Sequence, residues 1–372
     1  MGNSSHDPPL QRAIQIYTKG GGCPFWRMIW PGYQLNLTEL VQISQQDIFT
    51  RNIMDYARVN VIHVQKKLSR SHISFYKKLH AMKNRFNFRM VFELDDALFK
   101  EDIPDYNQAK HIFEAEGIYN HLKEGIELFD EVTVTTHNLK NYYQEKTDQK
   151  NFSVIPNYPP MFWIGREYDE EILRRNYRRY RSRPRILYAG SASHFDIRPI
   201  HPDDIVDDFT PVKEAVLSTL EKYQWIFVGA MPKCLDPFVS AGLVEFHSWK
   251  SMALYPRLLA ALQVNMWIAP LMHNRFNECK SDLKVLEASA LGHPIACQNI
   301  STYAIAPIKF DTGDEMLKRI DETLSTEESY INASREGRRA IQGRWLENKE
   351  NIGKYLDLYL HPYQSERRRY LK

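Results

Sequence analysis

Four cysteines in 372 residues, Cys23, Cys234, Cys279 and Cys297, stand scattered, with no CxxC pair and no Cys/His ligand spacing. That argues against a disulfide framework and against a zinc site, and fits reduced thiols in a cytoplasmic setting. No run of about 18 apolar residues occurs, so no membrane span is expected. The opening MGNSSHDPPLQR has no apolar export core, and its loose match to a myristoylation pattern reads as coincidence or as a leader. Charge of one sign is also scarce: 49 Lys and Arg against 46 Asp and Glu leave +3, too small a surplus to indicate a class of partner. Nor is there a GxGxxG or Walker A pattern, which removes classical dinucleotide and P-loop NTP binding.

What is present is ordinary globular composition, 43% hydrophobic and 26% charged, with aromatics at 12%. The length exceeds that of most single cores, so two domains are expected. Short β-branched and aromatic runs alternate with amphipathic stretches, the α/β pattern. The runs of the first half are AIQIYT (13–18), VNVIHVQ (59–65), RMVFELD (89–95), EVTVTT (131–136) and FSVIP (152–156). After a break at NYPPMFW come RILYAG (185–190), WIFVGA (225–230), LVEFHSW (243–249), VNMWIAPL (264–271) and HPIACQ (293–298). Helices are expected at ISFYKKLHAMKNRF, GIYNHLKEGIELF, VKEAVLSTLEKY and YPRLLAALQ, and from DEMLKRIDETL onward. The organisation predicted is a leader at 1–11, a Rossmann-like domain at 12–165, a linker at 166–184 and a second Rossmann-like domain at 185–345. A C-terminal helix and basic tail at 346–372 return to the first domain.

In doubly wound sheets ligands gather at the carboxyl ends of the strands, so the loops there carry the candidates. TKGGGCPFW brings Gly20, Gly21 and Gly22, either a tight turn or a flexible loop over a cleft. YAGSASHFD offers backbone at Gly190 and Ser191 to a phosphate, with His194 either a ligand or a structural hydrogen-bonding histidine. FELDD places Asp95 and Asp96 at a strand end, as general base, as a grip on sugar hydroxyls, or with one of them capping the next helix. Their DD spacing is not the DxD of a metal-dependent transferase. The locally basic segments 66–89, 174–185 and 366–372 are either solvated helix faces or a polyanion footprint.

The stretch NRFNECKSDLKVLEASALG (274–292) is the densest in chemistry. Ser281 or Asp282 can cap a helix, Lys280 and Lys284 would lie one turn apart, and Glu287 near the same face. Such a helix mouth can hold a diphosphate while Glu287 accepts from a ribose diol.

This stretch, with VTVTTHNLKNYY, SVIPNYPP, RILYAGSASHFD and VEFHSWKSMALYPRLLAALQVNMWIAPL, resembles GT-B glycosyltransferases over about residues 90–300. It is most similar to the large retaining, family 4-like group. The pairing of YAGSASHFD with FNECKSDLK resembles bacteriophage-encoded glycosyltransferases. The resemblance implies two Rossmann-like domains facing a cleft, with a nucleotide-diphosphate sugar, a UDP-sugar foremost, as co-substrate. It implies no obligatory cofactor; a divalent metal is allowed but not required, and no metal ligands are assigned. Glu287 matches the second glutamate of the family's E-x7-E motif. The first falls on Cys279, so that either Glu278 or Asn277 meets the sugar from a remodelled loop or the donor sugar is held differently. The family's usual Arg and Lys for the diphosphate have no obvious match, and Lys280 and Lys284, with the backbone at Gly190 and Ser191, take their place, with Ser281 a further donor-side candidate. Asp95 and Asp96 become the catalytic candidates, and Gly20–Gly22, Gln65 and Lys66 the acceptor-binding ones. The acceptor expected is a hydroxyl, with a hydroxymethylated pyrimidine in phage DNA foremost. A glycan, a lipid-linked or a small-molecule acceptor is the alternative, as is a degenerate nucleotide-sugar-binding protein.

Overall fold

A computed structural model describes residues 10–50, 52–164, 169–196, 198 and 205–360. Residues 1–9 of the expected leader and the basic tail at 366–372 lie outside them. The chain forms two compact units. Among the described residues, one comprises those within 10–95, 117–158 and 345–360, and the other those within 96–116 and 159–344.

The first unit is built on a parallel sheet of β1 (Gln11–Ile16), β2 (Val41–Gln46), β3 (Val61–Gln65), β4 (Arg89–Leu94), β5 (Glu131–Val134) and β6 (Phe152–Val154). Its order is β2-β1-β3-β4-β5-β6. The second unit carries β7 (Arg185–Gly190), β8 (Gln224–Gly229), β9 (Val244–Ser248), β10 (Met266–Ala269), β11 (Ile295–Gln298) and β12 (Ile308–Phe310), in the order β12-β11-β10-β7-β8-β9. All neighbouring strands pair in parallel. Central strands such as β8 and β10 are buried nearly end to end, which is why they read as unbroken apolar runs.

Two strands escape the sequence pattern, and both are edges. In β2, VQISQQ, burial alternates, because one face looks outward. β12 is three residues long. Helices α1 (Trp30–Asn36), α2 (Arg70–Phe86), α3 (Glu170–Arg179), α4 (Tyr255–Ala261), α5 (Leu283–Ala290), α6 (Glu327–Ala340) and α7 (Lys349–Leu360) cover the sheets. Two expected helices are fragments. GIYNHLKEGIELF holds only Ile118–Asn120 and Leu122–Glu127, and VKEAVLSTLEKY only Lys213–Leu217 and a preceding turn.

The expected linker 166–184 contains α3. It is pinned to α6 by Arg335 on Glu170 at 2.8 Å and Arg174 on Glu327 at 3.0 Å. The span 12–165 is interrupted, since 96–116 belongs to the second unit. The C-terminal α7 packs on α1, β1 and β2 of the first unit.

One face of the first sheet is polar yet buried. Arg27 donates to both oxygens of Glu93, at 2.7 and 3.2 Å, and to the carbonyl of Ile155 at 2.6 Å. His63 lies between Tyr359 of α7 (2.7 Å) and Thr133 (3.3 Å), and Gln15 also reaches Tyr359 at 2.6 Å. Burial holds His63 neutral, its pKa lowered to about 3.

Candidate functional site

In each sheet the strand order reverses once, between β1 and β3 and between β7 and β10, and the loops after those strands flank the reversal. In the second unit they are Ser191–Asp196 and the stretch from Pro270 to Asp282. They hold Ser191, His194, Asn277, Lys280 and Ser281, five of the expected donor residues, and of these His194 and Asn277 meet on Asp208. Gly190 closes β7. A Cβ there would meet the Tyr188 hydroxyl at 2.7 Å, and at Gly229 (φ +94°) one would meet the carbonyl of Gly190 at 2.4 Å. Glycine lets the two strand ends lie side by side.

The helix mouth is built differently from the expectation. α5 begins at Leu283, so Lys280 is outside the helix and the one-turn spacing to Lys284 does not apply. Asp282 occupies the N-cap but makes no side-chain cap; its oxygens receive the Arg344 guanidinium at 3.1 and 3.2 Å. Lys280 rides over the Phe276 ring at 4.5 Å and stands 3.7 Å from Asp96.

Lys284 is buried. Its ammonium lies 4.2 Å over the Tyr188 ring and donates to the Tyr188 hydroxyl at 3.1 Å, and burial lowers its pKa to about 8. Glu287, one turn on and also buried, accepts from the Tyr255 hydroxyl at 3.3 Å, and burial pushes its pKa up to about 8. A buried ammonium resting on a phenol, where a carboxylate would complete it, suits an anionic ligand.

Three contributors were missed in the sequence. Asp208 is fully buried and accepts from His194 Nδ1 (2.7 Å), Tyr106 (2.7 Å), Asn277 Nδ2 (2.6 Å) and the Met272 amide (3.0 Å). These donors hold its carboxyl below the usual range despite burial. Tyr106 comes from the 96–116 segment. Trp249, after β9, stacks on Tyr255 at 4.9 Å and is 40% exposed, an aromatic face one step from Glu287. The signal for Trp249 was its place after a strand; Tyr106 and Asp208 gave none. Asn277 is committed to the Asp208 hub, while Glu278 is exposed. Cys279 is buried where the resemblance expects a glutamate.

In the first unit, Gly20 and Gly21 both adopt φ +79°, with nothing within 4 Å of where a Cβ would stand, and Gly22 opens the next helical turn. Gln65 is buried and accepts from Thr18 at 3.1 Å through its amide and 2.9 Å through its hydroxyl, tying the glycine loop to β3. Lys66 pairs with Asp95 at 2.6 Å. Asp95 belongs to the first unit and Asp96 to the second. No helix among the described residues is long and apolar enough to cross a membrane.

No family model matches the chain, and no curated protein matches it in sequence. Solved structures do match. HepE of Anabaena in complex with UDP and glucose aligns at a TM-score of 0.60 and 11% identity, over 94% of this chain and 99% of its own. The catalytic domain of starch synthase IV from Arabidopsis thaliana, bound to ADP and acarbose, gives 0.59 and 10%, over 97% and 99%. TarM gives 0.52 and 9%, over 80% and 54%. Two parallel six-stranded sheets in this order and these likenesses together establish that the chain has the GT-B fold.

Proposed function

We propose that the protein is a glycosyltransferase that moves a sugar from a nucleotide-diphosphate sugar, a UDP-sugar foremost, to a hydroxyl acceptor. The observation that carries this reading is the buried Lys284, completed among the described residues only by a phenol, one turn from the buried Glu287 at the reversal point of the second sheet. In this reading Lys284 and Lys280 take the diphosphate, Glu287 the ribose diol and Trp249 the base. HepE, bound to UDP and glucose, and starch synthase IV, bound to ADP, share the fold and support the ligand class. The chemistry expected of the site is charge stabilisation of a leaving diphosphate by fixed cations. Asp95 and Asp96 are the proposed acceptor-side carboxylates, and Gly20–Gly22, Gln65 and Lys66 the proposed acceptor contacts.

The acceptor class is weighed by the basic segments. A hydroxymethylated pyrimidine in DNA needs free cations along the strand. Within 66–89, Lys66, Lys77, Lys83 and Arg89 pair with Asp95, Glu124, Asp130 and Glu131. Within 174–185, Arg174, Arg178 and Arg185 pair with Glu327, Glu327 and Glu245. Four of the eight Lys and Arg in 66–89 and three of the seven in 174–185 are thus spent on acids, which leaves less free cation for a strand, and a neutral glycan or small-molecule hydroxyl is the acceptor proposed.

The test is nucleoside-diphosphate release from UDP-, ADP- and GDP-sugars, alone, with neutral glycosides and with 5-hydroxymethylcytosine DNA. Release stimulated by a neutral hydroxyl supports the whole reading. Stimulation by the DNA reverses the choice of acceptor, and no turnover of any donor refutes the enzyme.

A further inference from the structure

His194 enters the site through an arrangement that the diphosphate reading does not use. It sits in the loop after β7, at the reversal point, with its Nδ1 2.7 Å from Asp208. Asp208 cannot turn away, because Tyr106, Asn277 and the Met272 amide hold its other oxygen. Its own amide donates to the His194 carbonyl at 3.2 Å, so backbone and side chain fix the pair from both sides. An ionised carboxylate on Nδ1 requires the Nδ1–H form of the ring, which leaves Nε2 as the working atom. Nε2 has no hydrogen-bond partner among the described residues.

The charges facing the ring are known on each side. Asp208 is anionic. Lys284, from α5, and Lys280, from the loop before it, are cationic and oppose protonation. Burial and these cations together hold the free ring neutral, its pKa lowered to about 4. Tyr188 of β7 stands between, its ring 6.5 Å from that of His194 and 4.2 Å from the Lys284 ammonium. His194 and Lys284 therefore flank one aromatic ring and feel each other's charge, so an anion that bridges the two would satisfy the ammonium and Nε2 together. The bound anion would cancel the very charges that keep the ring neutral.

We propose that His194 is a catalytic residue for departure of the nucleoside diphosphate. It takes up a proton at Nε2 when the sugar donor binds and delivers it to the leaving diphosphate. The inference rests on the nucleotide-sugar reading above. The bond between the sugar's C1 and the β-phosphate oxygen breaks, with its electron pair going to that oxygen. A bond forms between C1 and the acceptor oxygen. The Nε2 proton neutralises the new charge on the diphosphate, the acceptor's hydroxyl proton leaves to water, and His194 recovers a proton from water before the next turn. Asp208 stays ionised throughout and stabilises the imidazolium, as a buried carboxylate behind a catalytic histidine does.

The experiment is calorimetric titration of UDP-glucose, and of ADP-glucose in parallel, into the full chain at pH 5.5–6.5. Two buffers of different ionisation enthalpy are used. Both probes carry diphosphates that do not titrate in this window, and Lys284 and Glu287 titrate near 8. The expected result is net uptake approaching one proton per ligand and affinity that tightens by up to about tenfold per pH unit on acidification. His194→Gln should abolish the uptake and flatten that profile, and His194→Lys should restore affinity without pH dependence. Binding with no proton uptake in the wild type, or an unchanged profile in His194→Gln, overturns the proposal and leaves the glycosyltransferase reading standing. Should His194→Gln fail to fold, the wild-type buffer comparison decides alone. Binding of neither probe, joined to no turnover of any donor, removes the nucleotide-sugar reading and this inference with it.

Discussion

Both sheets bury charge, and they do it in opposite ways. In the first, Arg27 meets a matched partner, Glu93, in a two-pronged contact closed further by the Ile155 carbonyl and Asn157. In the second, the Lys284 ammonium has only a phenol, and Glu287, its pKa pushed up to about 8, stands as a neutral carboxyl against another phenol. A charge completed by its own counter-ion is architecture, because breaking it leaves an uncompensated ion in a dry interior. A charge left to neutral partners is held in readiness for a ligand that carries the missing sign. The contrast separates the parts of the molecule that hold it together from those that act.

The largest effect should come from breaking the closed pair. Arg27→Met strands Glu93, whose carboxyl burial already pushes above its usual range, and should cost about 3–5 kcal/mol in urea unfolding. Next is Gly229→Ala, where the new Cβ would strike the Gly190 carbonyl at a positive φ. A loss of about 2–4 kcal/mol is expected, with weakened UDP-glucose binding. Lys284→Ala should leave the unfolding midpoint unchanged or raised, while UDP-glucose affinity falls about 10- to 100-fold by calorimetry. Equal losses of stability in Arg27→Met and Lys284→Ala would erase the distinction between the two sheets.

A subtler effect follows from Glu287. Its folded-state pKa is raised to about 8, so its contribution to stability is full below pH 4.5 and is lost as pH climbs through 8. Glu287→Gln should therefore match the wild type in thermal unfolding at pH 5 and exceed it by about 2–4 °C at pH 9. The smallest change is Gly20→Ala. Its φ of +79° carries strain but no clash, for about 1 kcal/mol.

How far the sequence spoke differs between the same regions. Apolar runs that are buried on both faces, such as WIFVG and RILYAG, announce central strands directly. Two of the four edge strands do not, because VQISQQ is half exposed and IKF too short to show a period, whereas the edges FSV and VEFHS lie within apolar runs that the sequence does show. Ser191, His194, Asn277, Lys280 and Ser281 could be gathered from one rule, that loops after strands meet at the sheet's reversal. The details of the helix mouth could not. Asp282 looks like a cap until Arg344, 62 residues away, claims both its oxygens. Asp208 and Tyr106 are 102 residues apart and neither carries a local motif, so only the folded chain brings them to His194. The basic segments stayed open between two readings for the same reason: the acids that pair with Lys77, Lys83 and Arg178 lie elsewhere in the sequence.

The most direct test of where the donor binds is amide hydrogen exchange at saturating UDP-glucose. Slowed exchange at Ala189–His194 and Asn277–Glu287 is the predicted result. Unchanged exchange at both, with the ligand demonstrably bound, would contradict the assignment of the donor to the second sheet.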